Sequence, residues 1–169
     1  VAGLATAFGS GAMTNTIGDI KEADYILVIG SNTTESHPIV SLEVRKALKE
    51  GAGLAVIDPR RIELAEMAEV HLQLTAGTNI ALLNAMAQVI IEEELYSQEF
   101  VSTRTEGFAD LKQSIEKYTP EYAEKITGVP AEEIRKAARG YLIVCGSIPW
   151  LCIWDPAPPD GSILYSRGD

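Results

Sequence analysis

The fold of this chain is constrained most by residues 25–38, where an apolar run leads into a polar loop. Tyr25–Ile29 is apolar without interruption, Gly30 follows it, and polar residues then lead to Pro38. A short run rich in β-branched residues and bounded by glycine predicts a strand buried on both faces. Open α/β sheets bind ligands in the loop after such a strand, and helix N-termini favour anions. The stretch therefore predicts a ligand-binding loop, with phosphate as the favoured ligand.

A helix and a second strand follow this loop. Pro38 suits the first turn of the helix, and Gly51 suits its end. Ser36 or His37 is placed to cap it. Its predicted buried face consists of Val40, Val44, Ala47 and Leu48. Leu54–Ile57 is the second strand, and a strand–helix–strand unit with this spacing is parallel and right-handed.

The second strand ends in a charged turn. Asp58 lies where nucleotide-binding folds often place an acid against a ribose hydroxyl. Arg60 and Arg61 follow, and they are placed to neutralise a phosphate. The alternative is a solvated turn in which the arginines pair with Glu63 or Glu66. Both interpretations stay open at this point.

A third strand and a third polar turn come next. Val70–Leu74 alternates apolar and polar residues, and we interpret His71 within it as a sheet-edge residue rather than a ligand. Gly77 then opens a long helix, with Thr78 or Asn79 as its cap. The predicted buried face of this helix consists of Ile80, Leu83, Ala87, Ile90 and Ile91. Because the carboxyl ends of parallel strands share one edge of a sheet, the three polar turns predict one site there.

Two further segments follow this core. Residues 1–95 are predicted to form an α/β fold, a Rossmann-like parallel sheet with helices on both faces. Residues 96–141 are charged and helical, and they predict a structural extension of the same domain without catalytic residues. Thr119 and Gly128 are predicted to bound one of its helices. The apolar stripes of two others consist of Phe108, Leu111, Ile115 and Tyr118, and of Ile134, Ala137, Ala138 and Tyr141.

The tail, residues 142–169, differs in character from the rest of the chain. It holds four of the eight prolines, both tryptophans and both cysteines, and beyond Val144 it follows neither helical nor strand spacing. Apolar residues without a selected pattern have no prepared cavity to fill. We therefore predict that the tail is a shifted reading frame or a cloning artefact, disordered or loosely attached beyond about Gly146.

Composition excludes several classes of function. The net charge of −10 argues against a nucleic-acid binder. No apolar run reaches the ~18 residues that a membrane span needs. Cys145 and Cys152 are too few for an iron–sulfur cluster or a four-cysteine zinc site. Because the first residue is Val rather than Met, we expect an internal start; we also expect a cytoplasmic location, with a targeting signal left open.

Several segments in register carry a resemblance to a known family. They are residues 1–15, Ile29–Pro38, Ile57–Arg61, Ala76–Ala87 and Arg104–Phe108. Together they resemble the alpha subunit of molybdenum- or tungsten-dependent formate dehydrogenases, which are bis-molybdopterin guanine dinucleotide oxidoreductases of anaerobic metabolism. The resemblance runs from residue 1 to about residue 141. It implies a fragment of a larger subunit that oxidises formate to carbon dioxide or catalyses the reverse reaction.

The resemblance also implies a site, in which the three turns contact one guanine dinucleotide arm of the cofactor. By position it implicates Gly30, Ser31, Asn32, Glu35, Ile57, Asp58, Arg60, Gly77 and Asn79. A pyrophosphate needs N–H groups and positive charge, whereas guanine and ribose need polar partners such as Glu35, Asp58 and Asn79. The implied partners are the rest of the alpha subunit, electron-transfer subunits and formate. The choice between molybdenum and tungsten and the electron acceptor stay open.

The chemistry itself is expected outside this sequence. In the family a cysteine or selenocysteine followed by histidine binds the metal, and further cysteines bind a [4Fe-4S] cluster; neither set matches these residues. We therefore assign no catalytic or metal-binding residue and predict that the fragment alone is inactive. The alternatives are a relative with another substrate, a non-catalytic relative, and a plain NAD-binding domain. The stretch Gly30–Asn32 lacks the third glycine of the dinucleotide fingerprint, so NAD ranks last.

Overall fold

The computed structural model describes residues 16–143, 151–154 and 162–166. The strands are β1 (Tyr25–Ile29), β2 (Gly53–Ile57), β3 (Val70–Leu72), β4 (Leu151–Trp154) and β5 (Ser162–Ser166). A 3-10 helix, Ile17–Glu22, precedes β1. The helices are α1 (Thr33–Ser36), α2 (Pro38–Glu50), α3 (Glu63–Met67), α4 (Asn79–Glu92), α5 (Gln98–Arg104), α6 (Phe108–Ile115), α7 (Pro120–Thr127) and α8 (Ala131–Ile143).

The described strands form one sheet in the order β3-β2-β1-β5-β4. β1 and β2 are parallel along their whole length, from Tyr25 opposite Gly53 to Ile29 opposite Ile57. β2 and β3 are also parallel, and their last pair is Ile57 opposite Leu72. β5 runs antiparallel to both β1 and β4. The predicted parallel α/β sheet is confirmed, and the antiparallel pair at its other end is an addition to it.

Helices cover both faces of the parallel strands, as predicted. On one face Ile26, Val28, Leu54 and Val56 pack with Ile20, Val44, Ala47 and Leu64. On the other face Leu27, Ile29, Ala55 and Ile57 pack with Leu82, Ala85, Met86, Ile134 and Ala137. Successive strand residues point to opposite faces, so a strand that is covered twice must be apolar at every position. This is the physical reason for the unbroken apolar runs in β1 and β2.

The predicted helix ends are largely confirmed. Pro38 occupies the first turn of α2, and Gly51 ends that helix with a φ of 106°. Glycine adopts this left-handed conformation without the steric penalty that other residues have. Thr119 caps α7 by accepting a hydrogen bond from the Tyr122 amide at 3.2 Å. Gly128 ends α7, and its amide donates to the Glu124 carbonyl.

The predicted buried face of α4 is only partly correct, since Ile91 is buried and Leu83 and Ile90 pack against the core as partly buried residues. Ile80 is 73% exposed, and the buried residues of the helix are Ala81, Leu82, Ala85, Met86, Val89 and Ile91. The helix is apolar almost all round, so spacing alone does not distinguish the face that packs on the sheet. A smaller correction concerns α6, where Leu111 is 46% exposed although Ile115 is buried as predicted.

The helical extension packs on the same core as the sheet. α7 and α8 both contact α4, and Ala123, Ile134 and Ala138 belong to the cluster that contains β1 and β2. Arg139 of α8 also forms two hydrogen bonds with the Glu93 carboxylate, at 2.7 and 2.9 Å. No helix in the described part of the chain is long and apolar enough to cross a membrane.

The tail contributes two strands, although its sequence predicted no regular structure. β5 pairs with β1 from Ser166 opposite Tyr25 to Ser162 opposite Ile29. A tail without a prepared cavity should leave Trp150 and Trp154 unburied, but Trp150 lies outside the described residues and the Trp154 side chain is not described. The glycine-rich residues 1–15 also lie outside. The proposed frameshift, and with it the boundary at residue 142, stays a prediction.

Candidate functional site

The three polar turns follow parallel strands, so they lie at one edge of the sheet. We call this edge, made of residues 30–37, 58–61 and 75–79, the carboxyl edge. The first two turns are joined directly, because the Gly30 amide donates a hydrogen bond of 2.7 Å to the Ile57 carbonyl. The Ile57 side chain is buried in the core, so only the backbone of Ile57 faces the edge.

The first turn is the polar segment predicted between strand and helix, but part of it is helical. Gly30 adopts a φ of 58°, and the short helix α1 is inserted before α2. The amides of Glu35 and Ser36 both donate to the Asn32 carbonyl, at 3.1 and 3.0 Å. His37 occupies the N-cap position of α2, but neither it nor Ser36 caps the helix with its side chain. The Ser36 hydroxyl instead donates to the Asn32 carbonyl at 2.9 Å.

Polar groups are buried behind this turn. Ser31 is almost fully buried and Thr33 completely so, whereas the Glu35 side chain is exposed. The Thr33 hydroxyl has no hydrogen-bond partner within the described ranges. A buried polar atom without a partner is costly and calls for an explanation, such as a missing ligand or solvent molecule. The turn therefore has the chemistry of a polar binding loop rather than of an ordinary connection.

The second turn is organised by a buried carboxylate. Asp58 is 1% exposed, and its Oδ1 atom accepts hydrogen bonds from the Arg60 amide at 2.7 Å and from Arg60 Nε at 3.3 Å. The Arg60 side chain is nevertheless 65% exposed, so its guanidinium remains accessible from solvent. Arg61 pairs with Glu66 at 3.8 Å, as the solvated alternative predicted for it. The two arginines therefore differ, since only Arg60 is held by Asp58.

Two residues of the β3 segment also contact this turn. His71 Nε2 lies 3.0 Å from the Asp58 carbonyl oxygen, and Gln73 Nε2 donates to the Pro59 carbonyl at 2.9 Å. The interpretation of His71 as a sheet-edge residue agrees with its position on β3, the outermost strand at that side. The contacts of His71 and Gln73 with the turn were not predicted from the sequence. Strand alternation places His71 and Gln73 on the same side of the strand, and this signal was available in the sequence.

The third turn lies on the same edge through strand topology. Gly77 adopts a φ of 86°, and a side chain at this position would meet no atom within 4 Å. Glycine is therefore required here for its backbone conformation and not for lack of space. Thr78 occupies the N-cap position of α4, but its hydroxyl donates to the Thr75 carbonyl at 2.7 Å instead of capping the helix. Asn79 is exposed at the start of α4.

The predicted site residues are thus of three kinds. Gly30, Ile57, Asp58 and Arg60 are brought together by hydrogen bonds. Ser31, Asn32 and Glu35 lie in the first turn, and Gly77 and Asn79 lie in the third. Two grooves of about 500 and 560 Å³ lie elsewhere, and neither is lined by a predicted site residue. No group of three or more potential metal ligands occurs in the part of the chain that the structure describes.

The carboxyl edge combines a buried acid, an exposed guanidinium and glycine turns on a parallel α/β sheet, and this combination suits a nucleotide-like cofactor. Comparison with known protein families is consistent with this class. The family described as molybdopterin oxidoreductase matches residues 3–148. Because the match spans most of the sequence, the chain belongs to the molybdopterin oxidoreductase family.

Its curated relatives include formate dehydrogenases. Over 141 residues the chain is 53% identical to the F420-dependent formate dehydrogenase subunit alpha of Methanocaldococcus jannaschii, covering 83% of this chain and 21% of the relative. It is also 53% identical to formate dehydrogenase H of Escherichia coli, covering 83% and 20%. The chain therefore spans about a fifth of the length of these relatives.

A solved structure supports the fold as well. Acetylene hydratase from Pelobacter acetylenicus aligns with a TM-score of 0.62 and 36% identity, over 74% of this chain and 19% of that one. At this level of identity the likeness extends beyond the bare fold. It also shows that this segment is shared with a protein that is named as a hydratase and not as a formate dehydrogenase.

Proposed function

We propose that the carboxyl edge binds one guanine dinucleotide arm of a molybdopterin cofactor, and that the chain is part of a formate dehydrogenase alpha subunit. The observation that carries the proposal is the Asp58–Arg60 pair, a buried carboxylate that holds an exposed guanidinium beside two glycine turns. Family membership supports the cofactor class. The identity of 53% to two formate dehydrogenases supports the substrate.

Each site residue has a role that follows from its chemistry. Arg60 neutralises the pyrophosphate, because a guanidinium forms charge-assisted hydrogen bonds with phosphate oxygens. Ser31 and Asn32 bring backbone and side-chain donors close to the same group, and Gly30 permits a close approach of the backbone. Glu35 and Asn79 offer an acceptor and an amide for the guanine edge, and Gly77 gives the third turn its shape.

Asp58 has a double role in this proposal. Its Oδ1 atom accepts two hydrogen bonds from Arg60, and a carboxylate has about four acceptor positions in total. The carboxylate can therefore orient Arg60 and still accept a hydrogen bond from a ribose hydroxyl. Because the side chain is buried, this arrangement is fixed before the ligand arrives.

The bound cofactor would supply the redox chemistry by taking electrons from the C–H bond of formate at its molybdenum or tungsten centre. The residues of this chain bind and orient the cofactor at a distance from that centre. The metal ligands, the iron–sulfur cluster and the contacts with electron-transfer subunits belong to other parts of the proposed subunit.

The second candidate is a family member that acts on another substrate. The chain is 40% identical to a nitrate reductase of Symbiobacterium thermophilum and to acetylene hydratase of Syntrophotalea acetylenica. The cofactor role of the carboxyl edge would be the same in these proteins. The higher identity to formate dehydrogenases favours formate. The NAD alternative has no support among these relatives.

Guanosine diphosphate is a direct probe of the proposed ligand class. Isothermal titration of the purified chain should detect binding of guanosine diphosphate, and weaker binding of adenosine diphosphate or free guanosine. The Arg60→Ala variant should lose most of this binding, whereas Lys49→Ala should retain it, because Lys49 lies at the far end of α2. Equal binding of the guanine and adenine nucleotides, or no effect of Arg60→Ala, would contradict the proposal.

A further inference from the structure

Two side chains, one on β3 and one directly after it, hold the backbone of the neighbouring turn. His71 Nε2 lies 3.0 Å from the Asp58 carbonyl oxygen, and Gln73 Nε2 lies 2.9 Å from the Pro59 carbonyl oxygen. A carbonyl oxygen can only accept, so His71 must carry its proton on Nε2 in this contact. The two bonds thus attach successive carbonyls of the turn to alternate residues of the β3 segment, His71 within the strand and Gln73 one residue beyond its end.

These two hydrogen bonds lie just beyond the last backbone pair between β2 and β3. The last backbone pair between β2 and β3 is Ile57 opposite Leu72, so the carbonyls of Asp58 and Pro59 lie beyond the paired strands. Pro59 has no N–H group and cannot donate to any continuation of the ladder. The side chains of His71 and Gln73 therefore do what backbone amides do further back in the sheet.

We propose that His71 and Gln73 are positioning residues that fix the turn 58–61 and thereby the orientation of Asp58 and Arg60. The part of this inference that concerns a ligand rests on the proposed function. Neither residue needs to touch the ligand, because each acts through the backbone that carries the carboxylate and the guanidinium. Both hydrogen bonds inside the turn, at 2.7 and 3.3 Å, end on one atom, Asp58 Oδ1, so a small movement of the turn backbone would disturb them together.

The geometry also separates positioning from folding. Gln73 is exposed and His71 is half-buried, whereas the apolar neighbours Val70, Leu72 and Leu74 are buried in the core. The Gln73–Pro59 contact is exposed and the His71–Asp58 contact only partly buried, so water can replace most of the lost donor capacity. Removing these side chains should therefore change the global stability little. The expected consequence is a looser turn on an intact domain.

Hydrogen exchange of single amides tests this in the full chain without any ligand. The Arg60 amide, which donates to Asp58 Oδ1, should exchange about five- to tenfold faster in the double variant His71→Ala/Gln73→Ala. The Gly30 amide, which donates to the Ile57 carbonyl inside the sheet, should exchange at the wild-type rate. Gln113→Ala, which removes an exposed glutamine from α6, should change neither amide.

Conservative variants separate the donor from the bulk of the side chain. His71→Gln retains a side-chain N–H and should restore slow exchange at Arg60, whereas His71→Phe should not. Gln73→Glu keeps the shape but replaces the donor by an acceptor, so it should loosen the turn at least as much as Gln73→Ala. Unchanged exchange at Arg60 in the double variant would overturn the inference.

Titration with guanosine diphosphate completes the test. If the turn loosens and guanosine diphosphate binds the double variant several-fold more weakly than wild type, both parts of the inference are supported. If the turn loosens but the affinity is unchanged, the turn is held as proposed and its role in binding is refuted. If wild type does not bind guanosine diphosphate at all, the proposed function fails, while the exchange result still decides whether His71 and Gln73 hold the turn.

Discussion

At the scale of single residues, Tyr25 shows how tightly the sheet and its covering helix are packed. A β-carbon at Gly53 would lie 2.3 Å from Tyr25 Cδ2, and one at Gly140 would lie 2.8 Å from the tyrosine oxygen. The ring also meets Tyr141 edge to face, with the ring centroids 6.4 Å apart. Burial raises the pKa of Tyr25 to about 12, with a smaller contribution from the negative charge of Glu69. The phenol therefore favours its neutral form in the folded protein.

Gly53→Ala tests this packing. The added methyl group would overlap the rigid ring of Tyr25 at the start of β2, so the variant should be destabilised by about 1–3 kcal/mol, the usual cost of overpacking a core. Gly18→Ala is the matched control, because its β-carbon would meet only Thr16 Oγ1, at an ordinary 3.7 Å. Urea denaturation of the two variants measures the difference. Equal midpoints would show that Tyr25 can move aside.

At the scale of elements, α8 is attached to its neighbours by ion pairs on its outer side. Arg139 binds the Glu93 carboxylate with two hydrogen bonds, and Arg135 pairs with Glu121 of α7. Arg135 also pairs with Glu132 within α8 itself. The hydrogen bond from Arg139 lowers the pKa of Glu93 below its ordinary value, and the hydrogen bond from Arg135 does the same for Glu121. All these groups are near the surface, so each pair contributes modestly and is weakened by salt.

The stability contributed by the Arg139–Glu93 pair should depend on pH in a definite direction. A carboxyl group whose pKa is lowered on folding adds stability above its unfolded pKa, and this stability is lost as the pH falls through the folded pKa. Arg139→Ala should therefore have a lower melting temperature than wild type at pH 7, and the two should converge below the ordinary glutamate value of 4.5. Arg104→Ala, an exposed arginine on α5, is the control. A difference that persists in acid would show that Arg139 acts through packing and not through charge.

The elements also show what the sequence could predict. β1 and β2 were recognisable because a doubly covered strand must be apolar throughout. α2 was recognisable because Val40, Val44, Ala47 and Leu48 recur at helical spacing, although Ile39 and Leu42 are exposed. The buried face of α4 could not be predicted in the same way, since the helix has too few polar residues to mark its solvent-exposed face. A helix as short as α1 contains too few residues to show a hydrophobic periodicity in the sequence. Strand alternation indicated that His71 and Gln73 share one side, but their contact with the turn also depends on the register between β2 and β3, which no single segment encodes.

At the scale of the whole molecule, the chain is about a fifth of the length of its formate dehydrogenase relatives. The nine predicted site residues all lie in its three turns or at the end of β2, and these segments lie at one edge of a sheet. Their selection rested on resemblance, whereas their proximity followed from the parallel order of the strands. The expectation of formate as substrate rested on the resemblance alone, and the electron acceptor was beyond prediction, because none of the nine residues is expected to contact either.

The purified chain should not oxidise formate. The proposed metal ligands and the second half of the cofactor site lie elsewhere, so no turnover with a dye acceptor is expected even when cofactor is supplied. The assay needs a relative of full length as a positive control. Activity above background would refute the view that this segment only binds and orients the cofactor.

The tail provides a second test at this scale. If residues 142–169 are a shifted reading frame, a chain that ends at Gly146 should unfold at the same temperature as the 169-residue chain. The pairing of β5 with β1 makes the opposite result informative, because loss of a paired strand should lower that temperature. A marked loss of stability on truncation, or an unshifted coding sequence in independent DNA reads, would overturn the frameshift prediction.

The most direct measurement of the central claim is cofactor retention by an Arg60→Ala subunit. The substitution removes the exposed guanidinium that Asp58 holds at the carboxyl edge, and it should weaken cofactor binding by about 1.5–3 kcal/mol, the range of a charge-assisted hydrogen bond. Lys49→Ala removes the same charge far from the edge and should retain the cofactor. Metal content and released guanine nucleotide, measured after dialysis, should fall together in Arg60→Ala only. Full retention by Arg60→Ala, or equal loss in both variants, would contradict the account.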